Sequence, residues 1–253
     1  MSVQTKHVIE YPKFEVDRPG VIVSSFPRSG THFLMNAIGD AYGYEPWMDM
    51  DYGQLPINWW DQTEILSKLT KLKGAKCANI LKSHHSMEFF SEVLGQLLEH
   101  YHIFYIVRHP INVMESYHKF CLTFDWMEGP QVETAGEFAE SPPRGHLMRY
   151  LTRQHPTMLH WWLWHTMSWT SVNHPNMHHV RYEDLRDNYQ KVIWSFSDIF
   201  GMPPMVTDPP ARDRSVRPVD GLESVWTPEQ EHWAKEVTAP ALDRCNYSES
   251  LLC

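Results

Sequence analysis

A short stretch near the N-terminus, SSFPRSGTHFL from Ser24 to Leu34, carries residue types that bind anions. It joins an apolar run to a helix-compatible run, and a helix N-terminus there would present backbone N–H groups and a positive dipole end. Arg28 adds a cation, Gly30 allows close backbone approach, and hydroxyl or imidazole donors follow at Ser29, Thr31 and His32. The stretch therefore fits an anion site, although an ordinary capped loop explains the same residues. The GxxxxGK[ST] pattern of a Walker A loop is absent.

A second cluster, LKSHHS, follows another apolar run. If the strand extends this far, its period of two places Lys82 and His84 on one face and Ser83 and His85 on the other. A histidine is the usual general base near neutral pH, so Lys82 and His84 are candidates for catalysis. The alternative is a solvated lysine beside a hydrogen-bonded histidine at a strand end.

A third cluster, RHPINVMES, follows the run HIFYIV. Arg108 ends that predicted strand, and Ser116 lies about two helical turns further on. Both side chains could reach one phosphate group, with help from the helix N-terminus. A salt-bridged arginine and a serine on a helix surface would look the same in sequence.

Strands and helices alternate along the chain, which predicts one α/β domain with a central parallel sheet flanked by helices. Ligands of such sheets bind at the carboxyl ends of the strands, where all three clusters lie. We expect a lead-in over residues 1–20, an irregular segment over Pro46–Trp60 and a mobile loop over residues 124–144. The predicted strands are Val21–Ser25, Ala78–Lys82, His102–Val107 and Met177–Arg181, and the predicted helices include Thr31–Tyr42, Ser86–Glu99, Pro156–Val172 and one near Thr227–Val237.

Composition limits the function classes. The chain has 253 residues and a net charge of −9, which argues against a general nucleic-acid binder. We find no signal peptide and no apolar run long enough to cross a membrane, so we expect a cytoplasmic protein. The four cysteines have no metal-site spacing, and no histidine pair makes a convincing ligand set.

Taken together, the clusters resemble the PAPS-dependent sulfotransferases of the cytosolic type. FPRSGTHF is similar to their 5′-phosphosulfate loop, YPKSGTTW, and KSH to their KTH. RHPINVMESYHKF resembles their 3′-phosphate motif, RNPKDVxVSxYHF, with Arg108, Pro110, Val113 and Ser116 in register. HWWLW, from His160, resembles HVxxWW, and VRYEDL resembles LxYEDL. These five motifs stand in the order of the family and span residues 21 to 185.

Three departures from the family's pattern stand out. The loop lysine is replaced by Arg28, and the tryptophan that stacks on adenine is replaced by Phe33. The C-terminal RKGxxGxW motif is missing, and RDRSVRPVDGLESVW stands in its place. Arg212, Arg214 and Arg217 could supply the missing cations for the 3′-phosphate, and we favour Arg214 and Arg217.

The resemblance implies that a sulfuryl group passes from PAPS to a hydroxyl or amine of a small-molecule acceptor, leaving PAP, without a metal ion. His84 would be the general base, and Lys82 and Arg28 would stabilise charge on the transferring group and the leaving oxygen. The amides from Ser29 to Thr31 would cradle the 5′-phosphate. The implied cofactor-binding residues are Arg28, Ser29, Gly30, Thr31, His32, Phe33, Arg108, Ser116, Tyr182, Arg214 and Arg217.

Two other functions stay open: a nucleotide or small-molecule kinase on a related sheet, and a PAP-binding module without catalysis. The acceptor pocket is expected in two acidic, aromatic loops, Tyr44–Trp60 and Phe124–Arg144. Asp49, Asp51 and Tyr52 are the candidate acceptor-binding residues, and an acid near Asp49 or Asp51 is the alternative base. Carboxylates beside aromatic rings suit a cationic acceptor, whereas a flat apolar pocket for a phenol or sterol is the alternative.

Overall fold

The computed structural model describes residues 19–49, 79–123, 129–210 and 225–247. Within these ranges a parallel sheet has five strands in the order β2-β3-β1-β4-β5. The strands are β1 (Gly20–Ser25), β2 (Glu45–Asp49), β3 (Asn79–Ser83), β4 (Tyr101–Val107) and β5 (Met177–Arg181). The predicted single α/β architecture with a parallel sheet is confirmed.

Helices cover both faces of the sheet, because its central strands are apolar in both directions. Their bounds are α1 (Thr31–Tyr42), α2 (Leu94–His100), α3 (Pro110–Thr123), α4 (Ala135–Glu140), α5 (Met158–Thr170), α6 (Tyr182–Asp187), α7 (Tyr189–Ser195), α8 (Ser197–Phe200) and α9 (Pro228–Arg244). Short 3₁₀ helices span Met87–Phe90 and Gly145–Tyr150. Every residue of β1 is buried, as expected for the centre of such a sheet.

Two hydrophobic clusters show which helices lie on which face. Val21, Val23 and Ile80 of the sheet pack with α1 and α7. Ile22, Leu81 and Ile103 point to the other cluster, which contains α3, α5 and α9. The helix after β1 therefore covers one face, whereas the segments after β3 and β4 cover the other. Such a reversal opens a crevice at the carboxyl end of β1, where ligands of α/β sheets bind.

The structure corrects four expectations about individual elements. Residues 46–49 of the predicted irregular segment belong to the edge strand β2, which begins at Glu45. Part of the predicted mobile loop is helical, because α4 begins with a capping box between Thr134 and Glu137 and buries Phe138.

The predicted helix Ser86–Glu99 is divided into a 3₁₀ turn and α2, and Ser86 makes no side-chain cap. The last helix extends to Arg244, beyond the predicted end near Val237, with Pro240 inside it. Side-chain packing decides where such helices begin and end, and a local sequence pattern carries no information about that packing.

Candidate active site

The loop from Phe26 to Gly30 makes a tight turn between β1 and α1. Arg28 and Gly30 both have positive φ, at 69° and 99°, and the Ser29 amide donates to Phe26 O at 3.2 Å. A Cβ on Gly30 would lie 2.4 Å from the Tyr182 ring, so only glycine fits there. Ser29 Oγ is buried and has no hydrogen-bond partner. The turn therefore contains one buried hydroxyl donor without a hydrogen-bond partner, close to the N-terminus of α1.

Three predicted phosphate-binding residues meet beside this turn. Arg28 Nε donates to Ser116 Oγ over 3.4 Å, and Arg108 Nη1 donates to Arg28 O over 3.3 Å. Arg108 Nε is buried without a partner. Burial lowers the pKa of the Arg108 guanidinium, against the raising effect of Tyr182 and Glu183. A desolvated cation with an unused N–H at a strand end is suited to an anionic ligand.

Aromatic rings complete this corner of the site. Phe33 and Tyr182 lie edge to face, with ring centroids 6.1 Å apart. The Arg108 guanidinium lies 4.6 Å from the Tyr182 ring centroid, and the Arg28 guanidinium lies 4.8 Å from that of Phe120. The two residues expected to hold a planar base are thus adjacent to the residues expected to hold phosphate.

The backbone behind Arg108 is fixed by a carboxylate that sequence reasoning did not single out. Glu183 is buried, accepts the His109 amide at 3.0 Å and accepts the Tyr247 hydroxyl at 2.7 Å. The VRYEDL pattern contains Glu183, but only its partners reveal that it ties α6 to the residue after Arg108. The last described residues of the chain reach the same carboxylate through Tyr247.

The side chain of His84 lies at the opposite side of β1. Its Nδ1 is 3.0 Å from Ser25 O and 3.3 Å from Ser25 Oγ, which in turn lies 2.6 Å from Thr31 Oγ1. A carbonyl oxygen only accepts, so Nδ1 carries the proton and the ring lone pair is on Nε2. This tautomer is the one a base acting through Nε2 requires.

Lys82 and His85 have different surroundings. Lys82 Nζ lies 3.4 Å from His32 Nε2, at the start of α1. His85 is buried, lies 3.3 Å through Nδ1 from Ser83 Oγ and stacks on Phe89 at 4.0 Å between ring centroids. Lys82 therefore reaches the first turn of α1, whereas His85 packs into the core. Of the two neighbouring histidines, His84 is the one joined to the β1 end.

The wall beside His84 carries aromatic and basic groups. The Tyr150 ring lies edge-on to His84, with centroids 5.6 Å apart, and Arg149 Nη2 donates to Tyr150 OH at 2.8 Å. Two acids of the predicted pocket loop have structural partners. Glu137 accepts the Thr134 amide, and Glu140 accepts Gln230 Nε2 at 2.8 Å. The sequence did not indicate the basic wall, because Arg149 lies outside every motif.

Some predicted residues stand apart from this geometry. Asp49 pairs by backbone register with Lys82, which places it at the carboxyl end of the edge strand. Asp51, Tyr52, Arg212, Arg214 and Arg217 lie outside the described residues. Within the described ranges, no group of three or more acids, histidines or cysteines could hold a metal ion. No helix in the same ranges is long and apolar enough to cross a membrane.

Comparisons with known proteins show the family and the fold of the chain. The family model described as "Sulfotransferase domain" matches residues 18–238. A search of curated protein sequences finds no significant match.

Solved structures share the fold at low identity. Mouse sulfotransferase SULT7A1 complexed with PAP has a TM-score of 0.59 and 18% identity, covering 94% of this chain and 88% of that one. Retinol dehydratase in complex with retinol and PAP has a TM-score of 0.59 and 15% identity, with coverages of 90% and 82%. A sulfotransferase from Alicyclobacillus acidocaldarius has a TM-score of 0.55 and 14% identity, with coverages of 94% and 96%.

Proposed function

Because the chain belongs to the sulfotransferase family, we propose that it moves the sulfuryl group of PAPS to a hydroxyl or amine of a small-molecule acceptor, with His84 as the general base. The observation that carries this proposal is the bond from His84 Nδ1 to Ser25 O at 3.0 Å. It joins the base to the residue directly before the anion-binding loop. It also leaves the basic lone pair on Nε2.

The residues near the loop fit a nucleotide with two phosphate groups. Ser29 Oγ and Arg108 Nε are buried donors without partners, and an anion would satisfy both. The first intrahelical bond of α1 runs from Leu34 N to Gly30 O. The amides of Gly30 and of the first turn of α1 lie before this bond, at the N-terminus of the helix. The Ser29 amide already donates to Phe26 O, so the proposed 5′-phosphate cradle begins at Gly30 rather than at Ser29.

Each remaining residue has a proposed role at one part of the nucleotide. Arg108 and Ser116 hold the 3′-phosphate, with Arg214 and Arg217 as further cations. Phe33 and Tyr182 hold the adenine, and His32 and Thr31 lie at the 5′ end. The roles of Arg108 and Ser116 rest on their contacts with Arg28. Those of Phe33 and Tyr182 rest on their packing beside Arg108, and the others rest on the resemblance to the family.

Catalysis follows from charge and proton positions. When bound, PAPS supplies the sulfuryl group and leaves as PAP. His84 Nε2 accepts the proton of the acceptor hydroxyl or amine, while its Nδ1–H remains on Ser25 O. Lys82 and Arg28 stabilise the negative charge that grows during transfer. Lys82 is buried, which strengthens its electrostatic effect.

The charge of the acceptor is the finer part of the proposal. Asp49 at the end of β2 and the nearby Asp51 in sequence favour a cationic acceptor. Arg149 beside Tyr150 favours the opposite sign, and Glu137 and Glu140 are engaged elsewhere. Rates with a cationic alcohol and with its neutral isostere, at low and high salt, decide between these. A cation preference that shrinks in salt and in Asp49→Asn/Asp51→Asn supports the cationic acceptor, and equal rates favour a neutral phenol or sterol.

The test of the activity is PAP release from PAPS in metal-free buffer, with and without a panel of phenols, alcohols and amines. Acceptor-dependent release of PAP supports the proposal. A requirement for Mg²⁺ and a nucleoside triphosphate would support the kinase instead. Tight PAP binding without turnover on any acceptor would support a binding module.

A further inference from the structure

His165 is a buried histidine directly behind the proposed base. It lies in α5, is fully buried, and its Nε2 is 3.2 Å from the main-chain oxygen of His84. Its Nδ1 is 3.0 Å from Tyr105 OH, which lies 3.3 Å from Thr166 Oγ1. The ring also meets Phe26 edge-on, with centroids 5.6 Å apart. One side chain thus touches the segments that follow β1 and β3 and a tyrosine of β4.

The protons in this chain of bonds can be assigned. The His84 carbonyl only accepts, so His165 Nε2 is the donor. His165 Nδ1 must then accept, so Tyr105 donates its hydroxyl proton to it, and Thr166 donates to the Tyr105 oxygen. Burial lowers the pKa of His165 to about 3, so the ring stays neutral at any working pH. The donor to His84 is therefore permanent.

We propose that His165 is a positioning residue: it holds the main chain of residue 84 so that the His84 ring keeps its Nδ1–H on Ser25 O and presents Nε2 to the acceptor. This rests on the proposed function of His84. The HVxxWW pattern has a tryptophan where this chain has His165, so the device is a feature of this sequence. A residue that only filled space there would need neither ring nitrogen.

A pair of substitutions separates positioning from packing. His165→Gln places an amide N–H near the position of Nε2, whereas His165→Asn reaches only the position of Nδ1. His165→Asn is one methylene shorter than His165→Gln and leaves the larger void, so its melting temperature should be lower, and kcat is compared at a temperature at which both variants are folded. We expect His165→Gln to keep kcat within about threefold and His165→Asn to lose roughly tenfold or more, with the PAP dissociation constant unchanged in both. Tyr105→Phe, which frees His165 to change tautomer, should give an intermediate loss.

The ¹⁵N shifts of the His84 ring give a readout independent of turnover. The wild type and His165→Gln should show a single Nδ1–H tautomer, and His165→Asn a mixture. Equal kcat and equal His84 shifts in the two variants would overturn the proposal, and so would a loss of PAP affinity in step with kcat. If neither variant folds, Tyr105→Phe decides by the same shifts. A wild type without turnover would contradict the proposed function, and the shifts would still decide the role of His165.

Discussion

The two sides of β1 differ in how the groups with proposed roles are held. On the β4 side, Arg108 keeps a buried donor without a partner, as does Ser29 of the loop after β1, and both Arg28 and Arg108 contact ring faces and take part in bonds of 3.3 to 3.4 Å. On the β3 side, His84 is held on both its ring and its main chain, by Ser25 and His165. Two donors near the first side would gain partners from an anion, whereas the ring and the main chain of His84 are held without one.

This difference fits what each side must do. A site that binds a nucleotide gains affinity when the ligand supplies missing hydrogen-bond partners. A base gains rate when its geometry is fixed before the substrate arrives. Substitutions on the β4 side should therefore change ligand affinity, and substitutions on the β3 side should change turnover.

The largest effect is expected at His84. His84→Asn keeps a donor near Nδ1 for Ser25 O but removes Nε2, so kcat should fall by roughly 10²–10⁴-fold while PAP affinity stays unchanged. PAP release and calorimetric titration measure the two quantities. His85→Ala is the control and should remain active, although less stable because it loses its stacking on Phe89. An active His84→Asn together with a dead His85→Ala would reverse the assignment of the base.

Arg108 should give the opposite result. Arg108→Ala removes a charge-assisted contact and should weaken PAP binding by about 1.5–3 kcal/mol, roughly 10- to 150-fold. Calorimetry of the folded variant measures this loss. Arg153→Ala is a matched control, because that guanidinium lies over Trp164, 4.3 Å from its ring centroid, and should leave PAP affinity unchanged. Equal affinity in Arg108→Ala and the wild type would remove Arg108 from the nucleotide site.

His165 should contribute to the pH dependence of stability, together with other partly buried histidines whose pKa burial lowers, among them His109 on the β4 side. The folded pKa of His165 is lowered to about 3 by burial, below its unfolded value near 6.5. The contribution of neutral His165 to the free energy of unfolding is therefore complete above pH 6.5. It is lost as the pH falls below 6.5, and the slope of the unfolding free energy against pH approaches about 1.4 kcal/mol per pH unit. Urea unfolding at pH 7.5, 6.5 and 5.5 measures the slope. His165→Gln should flatten it by about one proton, and an unchanged slope would contradict the lowered pKa.

The smallest effect is expected at Ser29. Because its buried hydroxyl is unpaired, Ser29→Ala should change the ligand-free stability by less than about 0.5 kcal/mol or raise it slightly. The stabilisation that PAP gives should nevertheless shrink. Ser25→Ala is the contrasting variant, since it breaks contacts with Thr31 and His84 and should lower stability without PAP by about 1 kcal/mol. Melting curves with and without PAP compare the two, and equal PAP stabilisation in Ser29→Ala and the wild type would exclude the proposed contact.

The parts of the fold that sequence predicted are those with local signals. The family, the parallel sheet and the strands around Val21–Ser25 and His102–Val107 followed from apolar runs and ordered motifs, and they are confirmed. The edge strand β2 was missed because Glu45–Asp49 lacks an apolar run, and its pairing with β3 is a contact between distant residues.

The site divides in the same way. Motifs pointed to Arg28, Arg108, Ser116 and Phe33, and the structure places them together, although their roles stay predictions. The supporting roles of Glu183 and His165 could not be predicted, because both residues act through contacts between distant parts of the chain. Strand parity favoured His84 over His85 as the base, and that assignment stays a prediction.

The hydrogen bond from Tyr247 to Glu183 has a consequence for how far the chain can be shortened. A truncation just before Tyr247 would leave α9 intact, yet it would remove a donor from a buried carboxylate that holds the amide next to Arg108. Such a shortened chain should fold and still bind the nucleotide less tightly than the full one. The C-terminal turn is therefore a support of the phosphate site that acts through Glu183 and the His109 amide.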